Sequence, residues 1–120
     1  MGSYLSTPSI QADDTTTQIL SQIASNPVMM YSMTYCGACT KAKTLLERMK
    51  VTPTVVQFDK EKEGAKIAGA VRVVSGMNTV PVVYIGGEKI GGCDDLVAGI
   101  RWGTVQEKLK KAGVPFEDII

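Results

Sequence analysis

The sequence predicts an α/β domain built on a mixed, four-stranded sheet flanked by helices, and three observations carry that prediction. An apolar run, Val28-Met29-Met30-Tyr31, is followed by a helix-like segment from Thr40 to Lys50 and then by the β-rich run Thr54-Val55-Val56-Gln57-Phe58, which together form a βαβ unit with parallel strands. Val82-Val83-Tyr84-Ile85, Gly86-Gly87 and Glu88-Lys89-Ile90 form a hairpin signal, because a Gly-Gly pair tolerates the positive φ of a tight two-residue turn. Amphipathic helical patterns precede the βαβ unit, follow it and close the chain. At 120 residues this is one domain with one sheet.

Each element follows from local chemistry. Residues 1–12 are polar, rich in Ser and Thr with Pro8, and read as a flexible N-terminal extension, so the folded domain is expected over 13–120. From Asp13 a first helix carries Ile19, Leu20 and Ile23 on one face and stops at Asn26-Pro27. The strand to Ser32 comes next. In the following helix Ala42, Leu45, Leu46 and Met49 face inward, opposite Lys41, Lys43, Glu47, Arg48 and Lys50, and Thr52-Pro53 ends it. A strand to Phe58 closes the βαβ unit at Asp59, with a right-handed crossover. Lys60 to Gly64 is a charged turn. Ala65 to Ser75 is a helix with Ile67, Val71 and Val74 as its buried stripe and Gly76 as its C-terminal cap. After the hairpin, Gly91-Gly92-Cys93-Asp94-Asp95-Leu96 starts another helix with Asp94 as N-cap or first-turn acid. Val97, Ile100, Trp102, Val105 and Leu109 continue helical burial across a break at Gly103. No internal repeat is present, and the tail from Phe116 to Ile120, apolar and acidic by turns, has no assigned role.

Composition narrows the function. Thirteen basic against twelve acidic residues give a net charge of +1, so no overall field points to nucleic acid or to an anionic membrane. No apolar run is long enough for a transmembrane segment, and residues 1–20 lack a secretory leader. Met1-Gly2-Ser3-Tyr4-Leu5-Ser6 fits the N-myristoylation pattern but lacks the second, basic signal that stable anchoring requires. Three cysteines, two of them a close pair, suit redox chemistry in a reducing space, the cytoplasm or an organelle matrix, better than a secreted disulfide framework.

That pair, Cys36-Gly37-Ala38-Cys39, sits where the first strand gives way to a helix. The unpaired N–H groups and dipole of a helix N-terminus favour an anion, and C-x-x-C cysteines at such positions ionise more readily than a free thiol. Cys36 is therefore the candidate nucleophile and Cys39, one turn on, the resolving thiol. A zinc site would need further ligands, and the chain has no histidine and only one other cysteine, Cys93. A structural disulfide across so short a loop would constrain the unfolded chain little. Cys93, ahead of a helix, is either a packing residue or a third redox thiol.

Three separated signatures, Tyr31-Ser32 through Cys36-Gly37-Ala38-Cys39, then Thr79-Val80-Pro81, then Gly91-Gly92-Cys93-Asp94-Asp95-Leu96, together resemble the glutaredoxin family from about Ile19 to Lys111. The resemblance implies a thioredoxin-like fold and a glutathione-dependent oxidoreductase that reduces protein disulfides and glutathione mixed disulfides through a Cys36 thiolate. It implies a cis bond before Pro81 and a glutathione site made by Tyr35, Thr79, Val80, Pro81, Gly92, Cys93 and Asp94. Its expected partners are glutathione or a related thiol and disulfide-bonded or glutathionylated proteins, with the protein monomeric.

The chain also departs from the family. Met33 stands where a lysine commonly pairs with the glycyl carboxylate of glutathione, and Ala68 where a second polar anchor is frequent, leaving Arg72, one turn on, as the substitute carboxylate anchor. Cys-Gly-Ala-Cys replaces the usual Cys-Pro-Tyr-Cys. A small residue in place of that proline implies the alternative function, a [2Fe-2S] carrier or sensor in which Cys36 of each subunit of a homodimer and two glutathione thiolates hold the cluster.

Overall fold

Strand β1 (Val28–Ser32) is buried at all five positions, which explains why its sequence is a continuous apolar run with no polar alternation. The computed structural model describes residues 9–119. The other elements are α1 (Ser9–Ser25), α2 (Gly37–Arg48), β2 (Thr54–Gln57), α3 (Gly64–Ser75), β3 (Val82–Ile85), β4 (Glu88–Gly91), α4 (Cys93–Trp102) and α5 (Thr104–Lys111). The sheet runs β2-β1-β3-β4. β2 is parallel to β1, while β3 is antiparallel to both β1 and β4, so the expected mixed, four-stranded sheet with flanking helices is present.

Side-chain alternation divides the interior into two cores. Val28 and Met30 of β1 with Val83 and Ile85 of β3 point to one face, where Ala42, Leu46, Leu96, Ile100, Val105 and Leu109 of α2, α4 and α5 cover them. Met29, Tyr31, Val82 and Tyr84 point to the other, beneath Ile19 and Ile23 of α1 and Ala70 and Val71 of α3. The register pairs Met29 with Tyr84 and Tyr31 with Val82, so the same-face neighbours also oppose one another across the strands. The hairpin turn takes the expected form, with φ of 60° at Gly86 and 81° at Gly87.

The structure moves several expected boundaries. α1 is already helical at Ser9, the first described residue, ahead of Asp13, and α2 begins at Gly37, ahead of Thr40, because Cys36 itself caps it. β2 stops at Gln57. Phe58–Lys60 turn into a short 3-10 helix, where Phe58 stacks on Tyr31 with ring centroids 6.2 Å apart. α3 buries Ala70, Val71 and Ser75, whereas Ile67 and Val74 are half-buried at its margin.

Two expected core residues lie outside. Leu20 is 52% exposed and Trp102 is 78% exposed. On α1 the buried line is Thr15, Ile19 and Ile23, spaced by one turn, which leaves Leu20 beyond the edge of the sheet-facing stripe. Trp102 is the last residue of α4, where the left-handed Gly103 (φ 86°) turns the chain into α5 and leaves the final side chain in solvent. The tail gains a role, since Phe116 and Ile119 pack on the larger core and the Glu117 N–H donates to the Met49 carbonyl at 2.8 Å. No helix among the described residues is long and apolar enough to cross a membrane. The myristoylation pattern at Gly2 lies outside the described residues.

Candidate active site

The carboxyl end of β1 delivers Met33 to Tyr35 to the start of α2, and the extended Cys36 (φ −134°, ψ 110°) is the N-cap. Its sulfur takes the place that a serine or aspartate oxygen fills in other caps and accepts the Cys39 N–H at 3.2 Å. The Cys36 carbonyl accepts from the Thr40 N–H at 3.1 Å and the Thr40 hydroxyl at 3.2 Å, which fixes the first turn. One residue of the pair faces out and the other in. Cys36 is half-buried, whereas Cys39 is only 4% exposed, and all three cysteines are thiols. Burial, and next the hydrogen bond it shares with Cys36, pushes the Cys39 thiol up to about 12. Cys39 is thereby held protonated as the inner partner.

The loop before Cys36 has an anchor that the sequence reading missed. The Asp59 carboxylate, just past β2, accepts the Thr34 N–H at 3.0 Å and the Thr34 hydroxyl, bonds that hold its pKa below the usual carboxylate range. β1 and β2 are parallel, so their carboxyl ends reach the same edge of the sheet and bring these two residues together. The available signal was an aspartate and a threonine, each just beyond a strand expected to be parallel to the other.

The second signature folds against the first. Val80-Pro81 is a cis peptide, and the Val80 carbonyl oxygen lies 3.8 Å from Cys36 Sγ, within reach of its S–H. Gly92, the N-cap of α4, completes the edge: a Cβ there would stand 3.6 Å from Met77 Cε and 3.7 Å from the Pro81 carbonyl oxygen. Asp95 Oδ2 accepts the Gly92 N–H at 2.9 Å. The capping acid is thus Asp95, while Asp94 stands exposed in the first turn. Cys93 is buried, and burial raises its thiol pKa against the opposing charge of Lys41, an environment that favours the packing role.

Beside Cys36 runs a groove of about 410 Å³ bordered by Met33, Ala68, Arg72, Thr79 and Val80. The residues in the two departed anchor positions and the candidate substitute therefore line one surface. Tyr35, 98% exposed, projects into solvent next to Cys36 and is not part of the groove wall. Thr79 and Val80 join the groove to the nucleophile, and Gly92, Cys93 and Asp94 lie beyond Pro81 at the start of α4.

The glutaredoxin family profile matches residues 28–90, more than half of the chain. A glutaredoxin of Ricinus communis is 41% identical over 91 residues, covering 76% of this chain and 89% of its own. Glutaredoxin-1 of Rhizophagus irregularis is 38% identical over 87 residues, covering 72% of this chain and 86% of its own. The crystal structure of a buckwheat glutaredoxin–glutathione complex superposes with a TM-score of 0.83 at 32% identity, over 92% of this chain and 99% of that one. The fold is accordingly thioredoxin-like. The chain belongs to the glutaredoxin family of glutathione-dependent thiol–disulfide oxidoreductases.

Proposed function

We propose that the protein reduces protein disulfides and glutathione mixed disulfides with Cys36 as nucleophile and Cys39 as resolving thiol. The observation that carries this reading is the asymmetry of the pair, with a half-exposed sulfur capping α2 and a buried, protonated sulfur one turn behind it. The Cys36 thiolate attacks one sulfur of the substrate, so a new S–S bond forms, the old one breaks and the other half departs as a thiol after taking a proton. Deprotonated Cys39 then displaces the bound half. Two electrons have passed from the dithiol to the substrate, and two glutathione molecules restore the dithiol while becoming glutathione disulfide. With a glutathionylated substrate, external glutathione releases Cys36 directly and Cys39 is dispensable.

Glutathione itself is proposed to lie across the edge. Its cysteinyl backbone pairs with Val80 beside Thr79 and Pro81. Its γ-glutamyl end meets the start of α4, where the N–H groups of Cys93 and Asp94 suit the carboxylate and the Asp94 side chain suits the ammonium. Its glycyl carboxylate points along the groove past Met33 toward Arg72, with the exposed Tyr35 beside Cys36 outside the groove wall. The chemistry requires a reducing compartment, which places the protein in the cytoplasm or an organelle matrix.

The test is a pair of single substitutions assayed on a glutathionylated peptide. Cys36→Ser is expected to abolish reduction and Cys39→Ser to leave substantial activity. Full activity in Cys36→Ser with loss in Cys39→Ser would reverse the roles.

One observation supports the second reading, the [2Fe-2S] carrier: a Cβ built on Gly37 meets nothing within 4 Å, so the surface at Gly37, next to Cys36 in the chain, is open. Among the described residues no three His, Cys, Asp or Glu side chains are grouped as a ligand set, and Cys39 and Cys93 are buried. A single chain therefore offers only Cys36, and a cluster with four thiolate ligands fits only between two chains with glutathione supplying the rest. Reconstitution with iron, sulfide and glutathione should give a coloured dimer that Gly37→Pro suppresses. No absorption band and no dimer would end this reading while leaving the oxidoreductase intact.

A further inference from the structure

The groove beside Cys36 is chemically mismatched to the smallest part of glutathione. Its walls include the apolar side chains of Met33, Phe58, Ala68, Val71, Met77 and Val82, and its cation is Arg72. Among the described residues no carboxylate pairs with Arg72. A glycine bound there places no side chain on the apolar walls, so that surface stays wet. Met33, 42% exposed and unbranched, is a flexible wall able to adapt to side chains of different shape. About 410 Å³ lies within the roughly 300–1,000 Å³ of pockets that hold ligands much larger than a glycine.

We propose that this groove makes the protein selective for substrate disulfides in which the half-cystine taken up by Cys36 is followed by a bulky apolar residue and, two positions after that, by an acidic one. The proposal rests on the proposed glutathione pose, which directs the chain after the cysteine into the groove. Ala68 and Arg72 are four residues apart on α3, about 6 Å along its axis at roughly 1.5 Å per residue. An extended peptide rises about 3.3 Å per residue. A side chain seated at Ala68 is thus followed two residues later, on the same face of the extended peptide, by a position level with Arg72, whose guanidinium recognises a carboxylate by charge and paired hydrogen bonds. The covalent step is the one already described, and only the identity of the departing halves changes.

The test uses symmetric disulfides of blocked peptides Ala-Cys-Gly-Gly-Gly, Ala-Cys-Leu-Gly-Gly, Ala-Cys-Leu-Gly-Glu and Leu-Cys-Gly-Gly-Gly, mixed with the reduced full-length protein. Single-turnover loss of protein thiol is measured, and each rate is divided by the rate at which dithiothreitol reduces the same peptide. Burying a leucine side chain should raise the normalised rate for Ala-Cys-Leu-Gly-Gly about tenfold over Ala-Cys-Gly-Gly-Gly. The glutamate should add about threefold, as expected for a solvent-exposed pair. Leucine placed before the cysteine should give no gain. Ala68→Gln, which fills the groove, should bring the leucine-to-glycine ratio to near one, and Arg72→Gln should bring the ratio of the glutamate peptide to its glycine counterpart to near one. Equal rates for the glycine and leucine peptides, or a leucine preference that survives Ala68→Gln, overturn the proposal while the oxidoreductase reading stands. Failure to reduce any of the peptides overturns both.

Discussion

Cys39 shows how burial assigns different tasks to two identical side chains three positions apart. Its thiol is raised from an ordinary 9.0 to about 12, chiefly by desolvation. The thiolate fraction of a group so far below its pKa grows tenfold for each pH unit. Release of a substrate held on Cys36, measured by single-turnover mixing, should therefore keep accelerating from pH 7 through pH 9, and a plateau below pH 8 would contradict it. The same shift has a consequence for stability. The unfolded thiol ionises near 9 and the folded one does not, so unfolding releases a proton at higher pH and the reduced protein loses stability from about pH 9 toward 12. Denaturant titrations across that window should show a shallower decline in Cys39→Ser. In the groove wall, Arg72→Gln should raise the KM for glutathione about two- to fivefold with little change in kcat, because an exposed ion pair contributes about 1 kcal/mol or less of uniform binding. Met33→Lys should lower that KM, and an unchanged KM in both variants would remove the groove from glutathione binding.

At the scale of the element, the start of α4 places a helix cap at Gly92 directly beside the N–H groups of Cys93 and Asp94 proposed to hold the γ-glutamyl carboxylate. Gly91 adopts φ 117°, a conformation open to glycine, and a Cβ there would run into the Asp95 carboxylate. That carboxylate holds the Gly92 N–H and fixes the loop that packs on Met77 and Pro81. Asp95→Ala removes a charge-assisted hydrogen bond and should lower stability by about 1 kcal/mol. It should also raise the KM for glutathione by loosening Gly92 and Cys93, although Asp95 itself lies behind the site. Loss of stability with an unchanged KM, by thermal melts and steady-state assays on one preparation, would separate the cap from the binding loop.

Across the whole molecule, the sheet separates two cores and the tail closes the larger one at the end remote from the chemistry. α2 carries Cys36 at its N-terminus and Met49 at its C-cap, and the Glu117 N–H binds the Met49 carbonyl there. The Asp118 carboxylate accepts from Gln106 Nε2 at 3.3 Å, tying the same tail to α5. Removing residues 115–120 exposes apolar surface beneath Phe116 and Ile119 and should cost about 2 kcal/mol of stability. Activity well below the lowered melting point should be retained, since twelve residues of helix, about 18 Å, separate the tail from Cys36. A truncated protein that is folded yet inactive would show that the tail reaches the site after all.

The chain's own sequence determined the elements and the chemical identity of the site because both depend on short-range signals. Apolar runs located β1 and β3, helical spacing located α2, the Gly86-Gly87 pair specified the hairpin to β4, and Cys36 and Cys39 lie one turn apart wherever the helix is placed. Tertiary structure decided what depends on distant neighbours. Leu20 and Trp102 carry the hydrophobicity of core residues, but helical period gives a direction and not the width of the surface being covered, so both lie in solvent. The Asp59–Thr34 anchor spans 25 positions and exists because parallel strands end on the same edge. Arg72 joins Met33 and Val80 because α3 and the loop before β3 fold beside Cys36, a placement set by packing against α1 and the sheet and not by any local preference of the arginine.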